Sequence, residues 1–92
     1  MKINELKKLY AEYVKAEAIS DAADAAYEAD CENEAVEAEF DRTYKEAMAA
    51  LGKLVDGIVA FTNGAIDKKT ARMMVIAKKD RLEAILNRAA DA

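Results

Sequence analysis

The sequence contains no proline, no histidine and no tryptophan, three glycines and a single cysteine. Each shortage excludes something. Without proline and with so little glycine, few positions can interrupt a helix, and abundant Ala, Glu, Lys and Leu favour one. Without histidine the usual general base near neutral pH is missing, as is the Glu-x-x-His pair of helical di-metal carboxylate sites. The alternating Asp/Asn with glycine that a calcium loop requires is also absent. Cys31 has no second cysteine to pair with, which suits a reducing compartment, and with the acids Asp30 and Glu32 beside it a reactive nucleophile is not expected there. Ser20 is the only serine and has no base beside it in the sequence. The chain therefore offers no catalytic set and no cofactor or metal site, and is expected not to be an enzyme. No apolar leader or membrane-length apolar run occurs, so a cytoplasmic protein is expected.

What is present is charge, unevenly placed. The net charge is −4 over 92 residues, but residues 16–41 carry −10, with ten carboxylates and no Lys or Arg. Residues 1–15, 42–65 and 66–92 carry +2, +1 and +3. Eight of the ten acids form two sets with the same 4-3-4 spacing: Glu17, Asp21, Asp24 and Glu28, then Asp30, Glu34, Glu37 and Asp41. On a helix that spacing aligns side chains along one face. Like charges at i,i+4 destabilise a helix by a few tenths of a kcal/mol each, so the pattern requires compensation or a use.

Apolar periodicity divides the chain, read as a single domain 1–92, into three helices over about 3–30, 34–62 and 68–90. In the first, Leu6, Leu9, Tyr13, Ala16, Ser20, Ala23 and Tyr27 recur at steps of 3 and 4, bulky at first and then small. Asn33 is a candidate N-cap for the second helix. With no Gly or Pro at that turn, one continuous helix from 3 to 62 is an alternative. The second seam is Val36, Phe40, Tyr44, Ala47, Leu51, Leu54, Ile58 and Phe61, widened by Met48, Val55 and Val59 on the flank that continues the second acidic set. Gly52 and Gly57, costly inside a helix, suggest close helix contacts. Thr62-Asn63-Gly64 ends the helix, with Gly64 suited to the left-handed C′ position, and Asp67 caps the next. The third seam, Ala71, Val75, Leu82, Ile85 and Ala89, flanked by Met73, Met74, Ile76 and Leu86, contains Lys78, whose ammonium must snorkel outward. The pattern predicts an all-α, elongated antiparallel three-helix bundle, or else a long helical hairpin completed by dimerisation.

Three surfaces compete for a role. Regularly spaced carboxylates on rigid helices suit a basic protein surface, and their spacing is comparable to that of backbone phosphates. A nucleic-acid-binding protein whose channel they occupy, as phage-type counter-defence proteins of the anti-CRISPR kind do, is the expected partner. The plainer alternatives are a solvating face, or pairing with Lys68, Lys69, Arg72, Lys79 or Arg81 of the third helix. Tyr10 lies near the line of the first acidic set and is either a core-edge residue or an anchor in the binding face. Lys68, Lys69 and Arg72 crowd a helix N-terminus that attracts anions, but acidic net charge without clustered aromatics disfavours direct nucleic-acid binding. A structural or adaptor subunit self-associating as a homo-oligomer through its apolar seams is the competing class.

Overall fold

Asn33 decides the first question the periodicity leaves open. In the computed structural model, which describes residues 1–91, with side chains through Arg88, its side-chain oxygen accepts from the backbone N–H of Ala35 and Val36 at 3.0 and 3.4 Å. This satisfies donors that would otherwise be orphaned at a helix start. Helix α1 accordingly runs Ile3–Ala29 and α2 runs Glu34–Phe61, joined by a tight turn through Asp30–Asn33. The two form a long antiparallel hairpin, not one rod.

Helix α2 ends as the Thr-Asn-Gly stretch predicts, with one shift. Asn63 takes the left-handed C′ conformation at φ 52°, and Gly64 follows at φ 82°. The Asn63 and Gly64 N–H groups donate to the carbonyls of Ala60 and Val59 at 3.2 and 2.9 Å, the paired bonds of a Schellman close. Asp67 then caps the following helix, accepting from the Thr70 N–H at 2.7 Å.

The expected third helix is two helices. Helix α3 spans Lys68–Ala77 and α4 spans Lys79–Asp91, with Lys78 between them in a non-helical conformation, φ −135° and ψ 52°. Lys78 closes one helix and opens the next: its N–H donates to the Met74 carbonyl and its own carbonyl accepts from Arg81. The physical reason lies in the seam. A continuous helix would bury Lys78 between Val75 and Leu82, whereas the break leaves it exposed while Met74, Val75, Leu82 and Leu86 are all buried. The break also redirects the chain, so that α3 packs on α2 and α4 packs on α1. The side chain of Ala89, expected in this seam, lies outside the described residues. All-helical architecture holds, and the described residues contain four helices and no strand.

The molecule measures 50 × 22 × 20 Å, elongated as expected. Its bulky core occupies one end. Leu6, Leu51, Leu54, Val55, Ile58, Ala71, Val75, Leu82 and Leu86 form a single buried cluster beneath α3 and α4. Beyond Ser20 and Ala47 the hairpin continues without a third layer, held by smaller contacts. There Ala23 is buried, Tyr27 stacks on Phe40 with ring centroids 5.7 Å apart, and Thr43 is buried. Thr43 takes the seam place expected for Tyr44. Its hydroxyl returns a hydrogen bond to the carbonyls of Glu39 and Phe40 at 2.9 and 3.0 Å, satisfying the polar atom within its own helix. Tyr44 turns onto the flank, 51% exposed.

The two helical glycines differ. A Cβ at Gly57 would meet Leu9 Cδ1 at 2.8 Å and Leu6 Cδ1 at 3.3 Å, the close approach expected of it. At Gly52 nothing lies within 4 Å, so that glycine serves no contact. Gly52→Ala is therefore expected to stabilise the protein by about 0.5–1 kcal/mol, raising Tm by several degrees. Gly57→Ala should give no such gain, because part of it is lost in displacing Leu9. Thermal unfolding followed by circular dichroism checks both.

Candidate functional site

The two acidic sets come together through helix geometry. On α1, Glu17, Asp21, Asp24 and Glu28 lie roughly 80° around from the buried seam, and on α2 Glu34, Glu37 and Asp41 lie roughly 110° around in the same rotational sense. Because the helices are antiparallel, equal rotations carry both stripes to the same side of the hairpin. That is also the side on which α3 and α4 lie. Tyr10 meets Glu83 and Glu17 meets Lys79, while Glu17 and Asp21 share a depression with Arg72 and Ile76 of α3. The covering layer thus occupies one half of this side, and the acidic stripes line the other half.

The residues sort differently from their spacing. Asp30 belongs to the turn and not to α2, so the second set is not one continuous helical face; its carboxylate accepts from the Asn33 side-chain amide at 3.1 Å. Glu17, at the boundary, is paired: Lys79 Nζ donates to it at 2.8 Å. Glu39, outside both sets, is held by Arg42, which also reaches Glu46 at 2.9 Å. Among the described residues no Lys or Arg lies within salt-bridge distance of the remaining eight acids of 16–41, including Asp21, Asp24, Glu28, Glu34, Glu37 and Asp41. Pairing with the basic C-terminal helices accounts for one acid, Glu17. Lys68 meets Asp56 instead, at 4.0 Å.

Tyr10 stands apart from the open acids. It is half-buried and its hydroxyl donates to Glu83 at 2.8 Å, an α1–α4 contact. Burial, followed by the Glu83 carboxylate, pushes its pKa up to about 12. Burial also raises Tyr13, with Glu17 adding to the effect, and Lys79 lies 5.9 Å from the Tyr13 ring centroid. Glu17 is shifted the other way: the Lys79 ammonium, assisted by the Tyr13 hydroxyl, holds its carboxyl below the usual range.

Between the covered and open halves lies a depression of about 400 Å³. Ser20 and Leu51 lie among its lining, with Tyr44, Met48 and Ile76 around it and Glu17, Asp21 and Arg72 on its polar border. Tyr44, Met48 and Ile76 are 51%, 36% and 54% exposed, so three large apolar side chains stand open to solvent around one depression. Periodicity flagged Met48 as a widened face and Ile76 only as a seam neighbour. The missing signal was tertiary: the break at Lys78 ends the cover two residues beyond Ile76.

Among the described residues, no group of three or more His, Cys, Asp or Glu side chains is arranged to hold a metal, and no helix is long and apolar enough to cross a membrane. Compared with protein-family models, curated proteins and solved structures, the chain gives no significant match.

The Glu17–Lys79 pair generates a pH-dependent prediction. A carboxyl whose pKa is lowered on folding adds stability above its unfolded value, near 4.3, and that increment disappears as pH falls through the folded value. Both side chains are partly exposed, at 32% and 40%, so the screened contribution is about 0.5–1 kcal/mol. Glu17→Gln is expected to cost about that much at pH 7, progressively less as pH falls below the unfolded value, and nothing at a pH acidic enough to protonate the carboxyl in both states. Denaturant titrations of the wild type and the variant at both pH values check it.

Proposed function

We propose that this protein is a non-enzymatic interaction module whose acidic two-helix arm, residues 20–46, engages a basic partner protein. In the form we favour it is an inhibitor that occupies a positively charged nucleic-acid-binding channel, a nucleic-acid mimic of the phage counter-defence, anti-CRISPR-like class. One observation carries the reading. Both acidic stripes face the same side of the hairpin, and only Glu17 among their members has a cation within salt-bridge distance among the described residues. Carboxylates kept only for solubility need not share a side, and those kept for folding would have internal partners.

Physical chemistry supports the same reading. Two antiparallel helices, packed at an interaxial distance of about 8–10 Å, present two rows of negative charge, and along each row the i,i+3/i+4 spacing is comparable to that of backbone phosphates. The summed field steers a basic partner toward the arm, speeding association and making it salt-dependent. With no third helix over them, Asp21, Glu28, Glu34, Glu37 and Asp41 stand exposed. Open solvation also supports a binding role over acid–base chemistry, which needs a carboxyl shifted by a desolvated pocket.

A second reading is a structural or adaptor subunit that self-associates. It draws on Ile19, 46% exposed, and on a small apolar dimple between Ala23, Ala26, Ala35 and Val36 on the opposite side of the hairpin.

The deciding experiment compares pull-downs from source-cell lysate by the wild type and by a variant with Glu17, Asp21, Asp24 and Glu28 all changed to Lys, after circular dichroism confirms the variant's helicity. A basic or nucleic-acid-handling protein recovered by the wild type alone is the expected outcome. Recovery of the same partners by both forms sinks the acidic-arm reading. A dimer at micromolar concentration that survives the charge reversal favours self-association.

A further inference from the structure

Building on the acidic-arm reading, we infer that the partner contributes an amphipathic helix, which lies along the open side of the arm as a third layer and sets a large apolar side chain into the depression at Tyr44, Met48 and Ile76. The hairpin itself supplies the precedent. Over its other half the same side of the same two helices is filled by α3 and α4, which bury Ala71, Met74, Val75, Leu82 and Leu86 there. Where α3 ends, the side does not close. It opens into the depression, whose exposed Tyr44, Met48 and Ile76 prolong the line of the core. Methionine and tyrosine adapt to an incoming apolar side chain and retain a polar or polarisable edge when free.

Charge identifies the occupant. The stretch 16–41 carries −10 with no basic residue, and its stripes flank the open side on both helices. A second copy of this chain laid on the same face would place acid against acid, so the face selects against self-association. An apolar stripe bordered by Lys and Arg complements its acidic edges, leaving only the Arg72 corner of the depression cationic. From the depression to the turn, α1 extends over residues 21–29, roughly 13 Å at 1.5 Å per residue, so about two and a half turns of partner helix lie along it. The binding mode is helix-in-groove, with the apolar anchor giving specificity and the acids giving rate.

The test uses two synthetic peptides of about 14 residues. One carries Leu at i, i+3, i+4 and i+7 flanked by Lys, and the other has the same charge with every Leu replaced by Ser. Binding is measured by fluorescence anisotropy, and the site is mapped by NMR of the Met48 and Ile76 methyl groups. We expect the Leu peptide to bind at least about tenfold more tightly than the Ser peptide and to shift the Met48 and Ile76 methyl signals. Met48→Ser combined with Ile76→Ser, both at exposed positions, should remove that advantage while leaving the circular dichroism spectrum and the weak Ser-peptide binding unchanged. Equal binding of the two peptides, with shifts confined to the acidic stripes, overturns the groove while leaving the acidic arm intact. Methyl shifts elsewhere, no binding of either peptide, or Met48 and Ile76 signals that change with protein concentration alone also overturn it.

Discussion

A two-helix hairpin buries only one stripe of each helix, and everything in this molecule follows from how the adjacent side is used. Over one half that side is apolar, and α3 and α4 pack onto it, completing a core in which Leu54, Val55, Ile58, Val75 and Leu82 are almost wholly excluded from solvent. Over the other half it is lined with carboxylates, and no helix of this chain can lie there without stranding charge in an apolar interface. The same two helices are therefore a three-layered domain at one end and a two-helix arm at the other. Glu17 and Lys79 mark the border, where the last covered position of α1 meets the first residue of α4.

The seams of α1 and α2 were legible because burial and periodicity agree. Leu6, Tyr13, Ser20 and Ala23 are buried where the 3/4 spacing places them, as are Ala47, Leu51, Leu54 and Ile58. The caps at Asn33 and Asp67 were legible for the same reason, since a short polar side chain before an apolar run has a local job that tertiary context does not override. The break at Lys78 was not. No Gly or Pro marks it, and its cause is global: a cation in the seam, together with two separate flanks for the chain to cover. In a single helix Lys78 would have to snorkel out of the seam, and that conflict is itself the signal for a break. Tyr44 and Thr43 exchanged roles for a related reason, as bulk suggested the tyrosine for a position where a small residue able to satisfy its own hydroxyl fits between close helices.

The acidic spacing was visible at once, but its meaning required the third dimension. Neither stripe alone distinguishes solvation from recognition, and the inclusion of Asp30 in a helical set was incorrect because that residue forms the turn. The fold places the stripes on one common side, apart from the cations of α3 and α4 except at Glu17. It also brings Ile76 beside Tyr44 and Met48, residues that sequence distance separates. An apolar anchor bordered by two rows of acid is a more specific surface than the charge count implied, because it asks of a partner both a shape and a sign.

Amide hydrogen exchange of the free protein at two concentrations decides whether this side is filled by the chain for half its length and open over the rest. The slowest exchange is expected around Leu51–Ile58, beneath α3 and α4. Exchange in residues 22–29 and 35–43 should be faster by at least an order of magnitude at both concentrations. Protection of the arm equal to that of the core, or protection that rises with protein concentration, would contradict it, because the open side would then already be closed.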